Sequence, residues 1–488
     1  MSISFNEIPS GIRVPFSYIE FDSSKAQQGV SVKQWKALIL AQKISAGTAT
    51  ADTPYLVTSE AQAITLFGRG SFAHLAVKKF LANNKYTSLT VIPQADNGAG
   101  VKATGTLTVT GPATASGTLS IYIAGQLIEV SVASGDAQNA IASAINSAIN
   151  ATLDLPAVST VSNNVVTVEC RHKGLLGNDI DIRMNYLDDQ STPSGVSVAI
   201  VAMSGGTTAP TLTNSISAMG EVQYDVICAG YVDSTSLTAI ETELLDRWGP
   251  VRQNDGVYVC AKSDTNANLI TFGDGRNSKH VVCFGLYKHL EMPIEIACAA
   301  GAVMAYYGAQ DPARPFQTLE LAGVKAPAVA DQFTLTERNL LLLDGIATVK
   351  ESASGGVQIE RPITMYQVNG ASAADTTYLD VNTLFTLSYI RYDWRVYMLG
   401  KYPRHKLASD GARFGAGQKV MTPKLGKAEA IAKFRQWEEL GLVEGADQFK
   451  RDLIVERNSG DVNRLDFLLS PDLVNQLRVL GTQIGFLL

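Results

Sequence analysis

The sequence predicts an α/β core with a parallel sheet, interrupted by an inserted all-β domain and followed by an α+β domain, with extended strands at both termini. Three observations carry this reading. Apolar runs of strand length alternate with helical patterns from Trp35 to Ile92 and again from Asp225 to Gly308. Between them the composition turns to Thr, Val, Ala, Ser and Gly in short period-2 runs. Beyond them come a long helical segment, a basic helix and short closing strands. At 488 residues the length corresponds to about three domains, each large enough to bury a core.

In chain order, 37–41 reads as a buried strand, 59–67 and 71–83 as helices with Ser59 and Ser71 as N-caps, and 89–92 as the next strand. Alternating runs follow at 105–110, 117–123, 127–132 and 165–169. One helix interrupts them, 136–150, with Asp136 as its cap and Ile141, Ile145 and Ile149 as the stripe that covers the sheet. Strand and helix then alternate again: strands at 225–229, 257–261 and 281–285, helices at 236–247, near Asn266 and at 293–308. Strands separated by helices argue for a parallel sheet covered on both faces. A hairpin at 347–361 precedes a long helix at 378–400, and a further helix is bracketed by Thr422-Pro423 and Gly441. The expected domains are a linking arm at 1–30, a core split between 31–97 and 209–370, an inserted outer β-rich domain at 98–208, and a C-terminal domain at 371–488.

The termini point to function. Residues 482–488 form an apolar alternating end with Ile484, Phe486 and Leu488 on one face, which leaves a row of backbone groups wanting a partner. Residues 12–21 read the same way through Phe16, Tyr18, Ile19 and Phe21, and Pro15 restricts them to an edge position. Two such ends predict polymerisation by strand addition. In the run Ile8-Pro9-Ser10-Gly11-Ile12-Arg13-Val14-Pro15, in Lys401-Tyr402-Pro403-Arg404-His405, in Arg413-Phe414-Gly415-Ala416-Gly417 and in the closing strands, the chain resembles the tail sheath proteins of Mu-like contractile-tailed bacteriophages, over nearly its whole length. That resemblance implies a core sheet like that of subtilisin-type proteases. It also implies subunits that stack as hexameric discs into a helical sheath around a tail tube, meet baseplate and tail terminator proteins, and contract to drive the tube through a bacterial envelope. Assembly is expected in the host cytoplasm and residence in the virion. A sheath from a headless injection system or bacteriocin would share these features.

Composition excludes several other classes. The chain is 46% hydrophobic and 18% charged, as an ordinary globular protein is, and its first residues lack the basic and apolar regions of a secretory signal. Five scattered cysteines form neither a disulfide framework nor a metal spacing, and no two histidines fall at i, i+4. No cofactor is expected. Gly415 to Lys419 lacks the spacing of a phosphate loop, and no Gly-x-Ser-x-Gly elbow supports a hydrolase. A β-rich adhesin, motivated by the Thr-rich module, does not account for the two polymerising ends. Between Arg391 and Arg435 eleven Lys or Arg face only Asp393, Asp410 and Glu429, a net of +8, so the rest of a chain at −6 carries −14. Nucleic acid is disfavoured as the partner of this segment because no recognition motif accompanies it. The segment reads either as a solvated face with local ion pairs or as an interface with an acidic protein surface, the tube that the resemblance implies, met by Lys424, Lys427, Lys433 and Arg435.

Overall fold

The computed structural model describes residues 33–352, 355–415 and 417–487. The chain opens with strand β1 (Lys36–Gln42), a short β2 (Tyr55–Leu56), helices α1 (Glu60–Phe67) and α2 (Phe72–Asn83), and β3 (Ser88–Gln94). Ser59 and Ser71 cap the two helices, their hydroxyls accepting from Gln62 N and His74 N. The Thr-rich stretch forms β4 (Lys102–Thr110), β5 (Gly117–Ile123), β6 (Gln126–Val132), α3 (Gln138–Ala151), β7 (Ala157–Ser162), β8 (Val165–Lys173), β9 (Ile182–Met184) and β10 (Ser197–Ser204). Asp136 does not cap α3. Its Oδ2 instead accepts from Ala133 N at 2.7 Å and closes the preceding turn, while Ile141, Ile145 and Ile149 are buried as the stripe predicts.

Strand and helix then alternate through α4 (Thr213–Ala218), β11 (Val226–Ala229), α5 (Ser234–Trp248), β12 (Val257–Ser263), α6 (Asn266–Asp274), β13 (Val281–Leu286), α7 (Pro293–Gln310), β14 (Glu320–Lys325), α8 (Leu335–Leu343), β15 (Ala347–Glu351) and β16 (Gly356–Arg361). These strands join the first three in one nine-stranded sheet of order β14-β16-β15-β13-β12-β11-β1-β3-β2. The sheet is mixed rather than purely parallel. Its interior run from β15 to β3 is parallel, and antiparallel β14, β16 and β2 finish the edges. Helix α7 lies against β11 and β12, and Gly301 sets that approach: a Cβ there would stand 2.3 Å from Cys228 Sγ.

Residues 98–208 leave the sheet after β3 and re-enter at β11, the two strands that flank β1. They build a four-stranded sheet, β10-β4-β8-β7, and a three-stranded one, β6-β5-β9. At such a reversal of strand order an α/β enzyme opens its ligand crevice. Here the crevice is filled. Gln42, at the end of β1, donates to Asp96 Oδ1 at 2.6 Å and to Lys173 O at 2.8 Å. Leu176 lies over Gly230, just past β11, so closely that a Cβ on that glycine would meet Leu176 Cδ2 at 2.9 Å.

The chain ends with α9 (Val381–Lys401), β17 (Lys406–Leu407), β18 (Val420–Met421), α10 (Pro423–Glu439), β19 (Val443–Glu444), α11 (Ala446–Asp452), β20 (Ile454–Arg457), β21 (Leu465–Leu468) and β22 (Asp472–Leu473). Helix α9 belongs to two cores. Val381, Leu384 and Phe385 pack into the large one around the main sheet, and Ile390 into a smaller one with Phe434, Trp437, Phe449 and Leu453. Among the described residues no helix is long and apolar enough to cross a membrane.

Candidate assembly interface

The small core fixes a platform from which the basic segment and the chain's end project. Thr422 caps α10, accepting from Leu425 N at 3.3 Å, and Pro423 occupies its first turn. The helix then buries Ala430, Phe434 and Trp437 at i, i+4, i+7 spacing. Phe434 stacks on Phe449 with centroids 4.1 Å apart, and Trp394 of α9 meets both Trp437 and Phe467. Gly426 lets α10 sit down on the β20–β21 hairpin, since a Cβ there would touch Phe467 at 3.0 Å.

The eleven cations of the basic segment separate into two populations. One is consumed internally. Arg391 pairs with buried Asp255 at 2.7 Å, and Lys401 reaches Glu429 at 2.7 Å. Burial pushes the Glu429 carboxyl up, but hydrogen bonds from Lys401, Tyr397 and Tyr402 outweigh it and hold the group below the usual range. Lys433, expected on the partner-facing surface, belongs to this internal set. It is 5% exposed, with Nζ 2.6 Å from Asp393 Oδ2, the oxygen that also accepts from Trp437 Nε1 at 2.6 Å. The reason is its position between Ala430 and Trp437 on the buried face of α10, where a long aliphatic stem packs well. The second population is exposed: Lys424, Lys427 and Arg435 on α10, Arg404, Arg413 and Lys419 before it, and Arg395 and Lys406, whose side chains donate to Gln253 and Gln418.

The C-terminal segment is anchored and then released. β22 pairs antiparallel with β19, and Val474 N donates to Leu442 O at 3.1 Å. Gln476 Nε2 donates to Ala313 O at 3.1 Å, and Arg478 Nη2 donates to Asp380 Oδ1 at 3.1 Å and Asn382 Oδ1 at 3.2 Å, near the start of α9. Beyond Arg478 every described residue is exposed and none pairs in a ladder. Ile484 is 84% and Phe486 80% exposed. Leu488 and the N-terminal residues Phe16, Tyr18, Ile19 and Phe21 lie outside the described residues. The β20–β21 hairpin is a two-stranded sheet with both outer edges open among the described residues. The Asp380–Arg478 anchor was not read from the sequence, because no local pattern links residues so far apart.

Two of the histidines are committed to the fold. His172 Nδ1 faces Asp96 at 2.9 Å, but its Nε2 takes the Phe72 N–H, and His74 Nδ1 likewise takes the Gly70 N–H. Neither ring has a nitrogen left for a serine hydroxyl. Among the described residues no group of three or more His, Cys, Asp or Glu is placed to hold a metal ion.

A filled crevice, a platform of unpaired cations and an unpaired apolar arm define a structural subunit whose contacts lie with other proteins. Residues 205–365 match the phage tail sheath protein central domain, and residues 373–486 the phage tail sheath C-terminal domain. The chain is 41% identical, over 488 residues and the full length of both proteins, to the Mu-like prophage FluMu tail sheath protein of Haemophilus influenzae. It belongs to the phage tail sheath family. Solved structures similar to it include a sheath tail protein of Desulfitobacterium hafniense (12% identity, TM-score 0.48, 94% of this chain and 100% of that one). A second is a sheath tail protein of Listeria innocua (11% identity, TM-score 0.49, 91% and 93%).

Proposed function

We propose that this protein polymerises around a phage tail tube and that the resulting sheath contracts to drive the tube through a bacterial envelope. The observation that carries the reading is the arm at 479–487, anchored at Arg478 and presenting Val479, Leu480, Ile484, Phe486 and Leu487 to solvent. An extended apolar strand with unpaired backbone groups is completed by adding to a neighbour's sheet, and the open edges of the β20–β21 hairpin supply a sheet to receive it. The N-terminal strand around Phe16 to Phe21 is assigned the same role. Backbone pairing is indifferent to side-chain identity, so such links act as hinges that survive rotation of one rigid subunit against the next. The energy for contraction is then stored in subunit packing, and no nucleotide is needed.

In this arrangement 98–208 form the outward-facing domain and the exposed cations around α10 face the tube. The six parallel strands between β15 and β3 support a subtilisin-like architecture for the core. Baseplate and tail terminator proteins cap the two ends of the sheath, which is built in the host cytoplasm. Electron microscopy tests the reading directly. The full chain should form tubes, and a chain ending at Arg478 should stay folded and soluble without forming them. Normal sheaths from the shortened chain would overturn the role of the arm.

A further inference from the structure

The C-terminal segment is held in two different ways before it leaves the molecule. As far as Val474 it is part of the fold: β22 pairs with β19 through its backbone, Leu473 packs against the small core, and Val474 N donates to Leu442 O. From Asn475 on, among the described residues, no backbone group pairs and no apolar side chain joins either core, and Leu477 is 70% exposed. The stretch 475–478 is fastened to the rest of the molecule by two side chains. Gln476 Nε2 donates to Ala313 O at 3.1 Å, and Arg478 Nη2 donates to Asp380 Oδ1 at 3.1 Å and to Asn382 Oδ1 at 3.2 Å.

The groups that receive Arg478 do not depend on it. Asp380 keeps a cation without it, since Arg361 Nε donates to Oδ1 at 3.1 Å and Arg361 Nη2 to Oδ2 at 2.9 Å. Asn382 Nδ2 stays bonded to Pro312 O at 2.9 Å and Arg314 O at 2.8 Å. Arg478 is the poorly served partner. Its side chain is 10% exposed, it shares one carboxylate with a second guanidinium, and its Nε and Nη1 are buried without a hydrogen bond among the described residues. Leaving returns both donors to water, so this seat costs little to vacate.

We propose that Gln476 and Arg478 form a releasable latch that gives the arm two lengths, a short one free from residue 479, as in this structure, and a long one free from residue 475. At the rise of an extended strand, the four added residues give about 13 Å of further reach. The proposal rests on the reading of the arm as a link to a neighbouring subunit, and it adds an order of events. The unassembled subunit holds the latch closed, so links form on the short arm. Contraction then moves subunits that are already linked, and the latch opens under that pull. It yields before the link does, because three side-chain hydrogen bonds oppose a ladder of backbone bonds that must be broken together. The slack comes from the latch, and the strand pairing survives the rotation.

The test uses the full chain carrying Arg314→Cys and Leu477→Cys. Both positions are exposed, both adjoin the latch without belonging to it, and the five native cysteines are buried. A bismaleimide with a reducible spacer should join the two thiols efficiently within the soluble subunit. Adding Gln476→Ala and Arg478→Met should lower that yield severalfold while the circular dichroism spectrum stays the same; an unchanged yield would overturn the latch. Tubes assembled first and then treated should cross-link before contraction and severalfold less after contraction induced by urea. Tubes cross-linked beforehand should resist the same urea and contract once the spacer is reduced. Equal yields in the two states, or contraction of cross-linked tubes, would overturn the proposal while leaving the arm's role in assembly intact. A full chain that forms no tubes would instead overturn the arm reading and the latch's role with it.

Discussion

Buried charge sets the sensitivity of the smallest units. Asp393 holds together Lys433, Trp437 and the packing of α9 on α10, through two contacts of 2.6 Å to one oxygen. Replacing it by Leu leaves an ammonium group buried and almost unpartnered, an imbalance that typically costs about 3–5 kcal/mol. Asp393→Leu should therefore lower the urea midpoint sharply, and adding Lys433→Met should recover much of the loss. Acid acts on a different pair. His280 and His289 are both buried. Burial pulls His280 down to about 3 and His289 down to about 4, from an ordinary value of 6.5. Above pH 6.5 both rings are neutral whether the chain is folded or not, and neither changes stability. Below it the unfolded chain gains protons that the folded chain refuses, so stability falls with acid down to about pH 4 for His289 and pH 3 for His280. Each ring contributes a slope approaching ~1.4 kcal/mol per pH unit. A His280→Phe variant, which keeps a ring against Trp248, should unfold with a pH slope shallower by about one proton, measured by denaturant titration between pH 6.5 and 4.5.

Elements differ in how much of their cause is local, and this decided what the sequence could reveal. Helices α1, α2 and α10 begin where Ser59, Ser71 and Thr422 say, because a cap is a contact within one turn. Strands β7, β10 and β14 escaped the sequence reading. β14 carries Gly323 at positive φ and is a strand only because β16 lies beside it, whereas β10 was legible in principle, since Pro193-Ser194-Gly195 and Gly205-Gly206 frame its apolar run. The position of Lys433 was legible in principle, since Ala430 and Trp437 place it on the buried stripe, but its charge dominated the reading. Docking of 98–208 onto the core was not legible at all, because its contacts join residues far apart in sequence. Lys78 and Arg69 grip Asp154 at 2.6 and 2.5 Å, Lys325 Nζ donates to Gly125 O at 2.7 Å, and Tyr186 donates to Ala326 O at 2.9 Å. Excising 98–208 with a short linker should consequently leave a folded main sheet of reduced thermal stability, with Gln42 losing Lys173 O and the Phe72 N–H losing the His172 ring. Circular dichroism melts check this; aggregated, unfolded protein would mean that the segment is integral to the core.

At the scale of the whole molecule the uneven charge is the property that assembly can use. The chain is acidic overall, yet eight cations, Arg395, Arg404, Lys406, Arg413, Lys419, Lys424, Lys427 and Arg435, are exposed within one stretch without an ion-pair partner among the described residues. Internal pairing of Arg391, Lys401 and Lys433 accounts for the rest of what made that stretch look basic and shows why net charge alone overstates an interface. The exposed group should set the register of each subunit on an acidic tube, by attraction that is weak per contact and repeated along the assembly. Lys424 and Lys427 are the informative pair, because both are solvent-facing and their side chains support no fold contact among the described residues. Changing both to Glu should leave the subunit folded but slow its assembly on tubes by roughly tenfold or more at low salt. The deficit should shrink as salt rises toward ~1 M, where the screening length falls to about 3 Å. Lys433→Glu must be kept out of this comparison, since it would set a second carboxylate against buried Asp393 and unfold the platform itself. Assembly that ignores both the Lys424→Glu, Lys427→Glu reversal and ionic strength would reduce these cations to solvated surface, and the register of the sheath would then rest on its strand links alone.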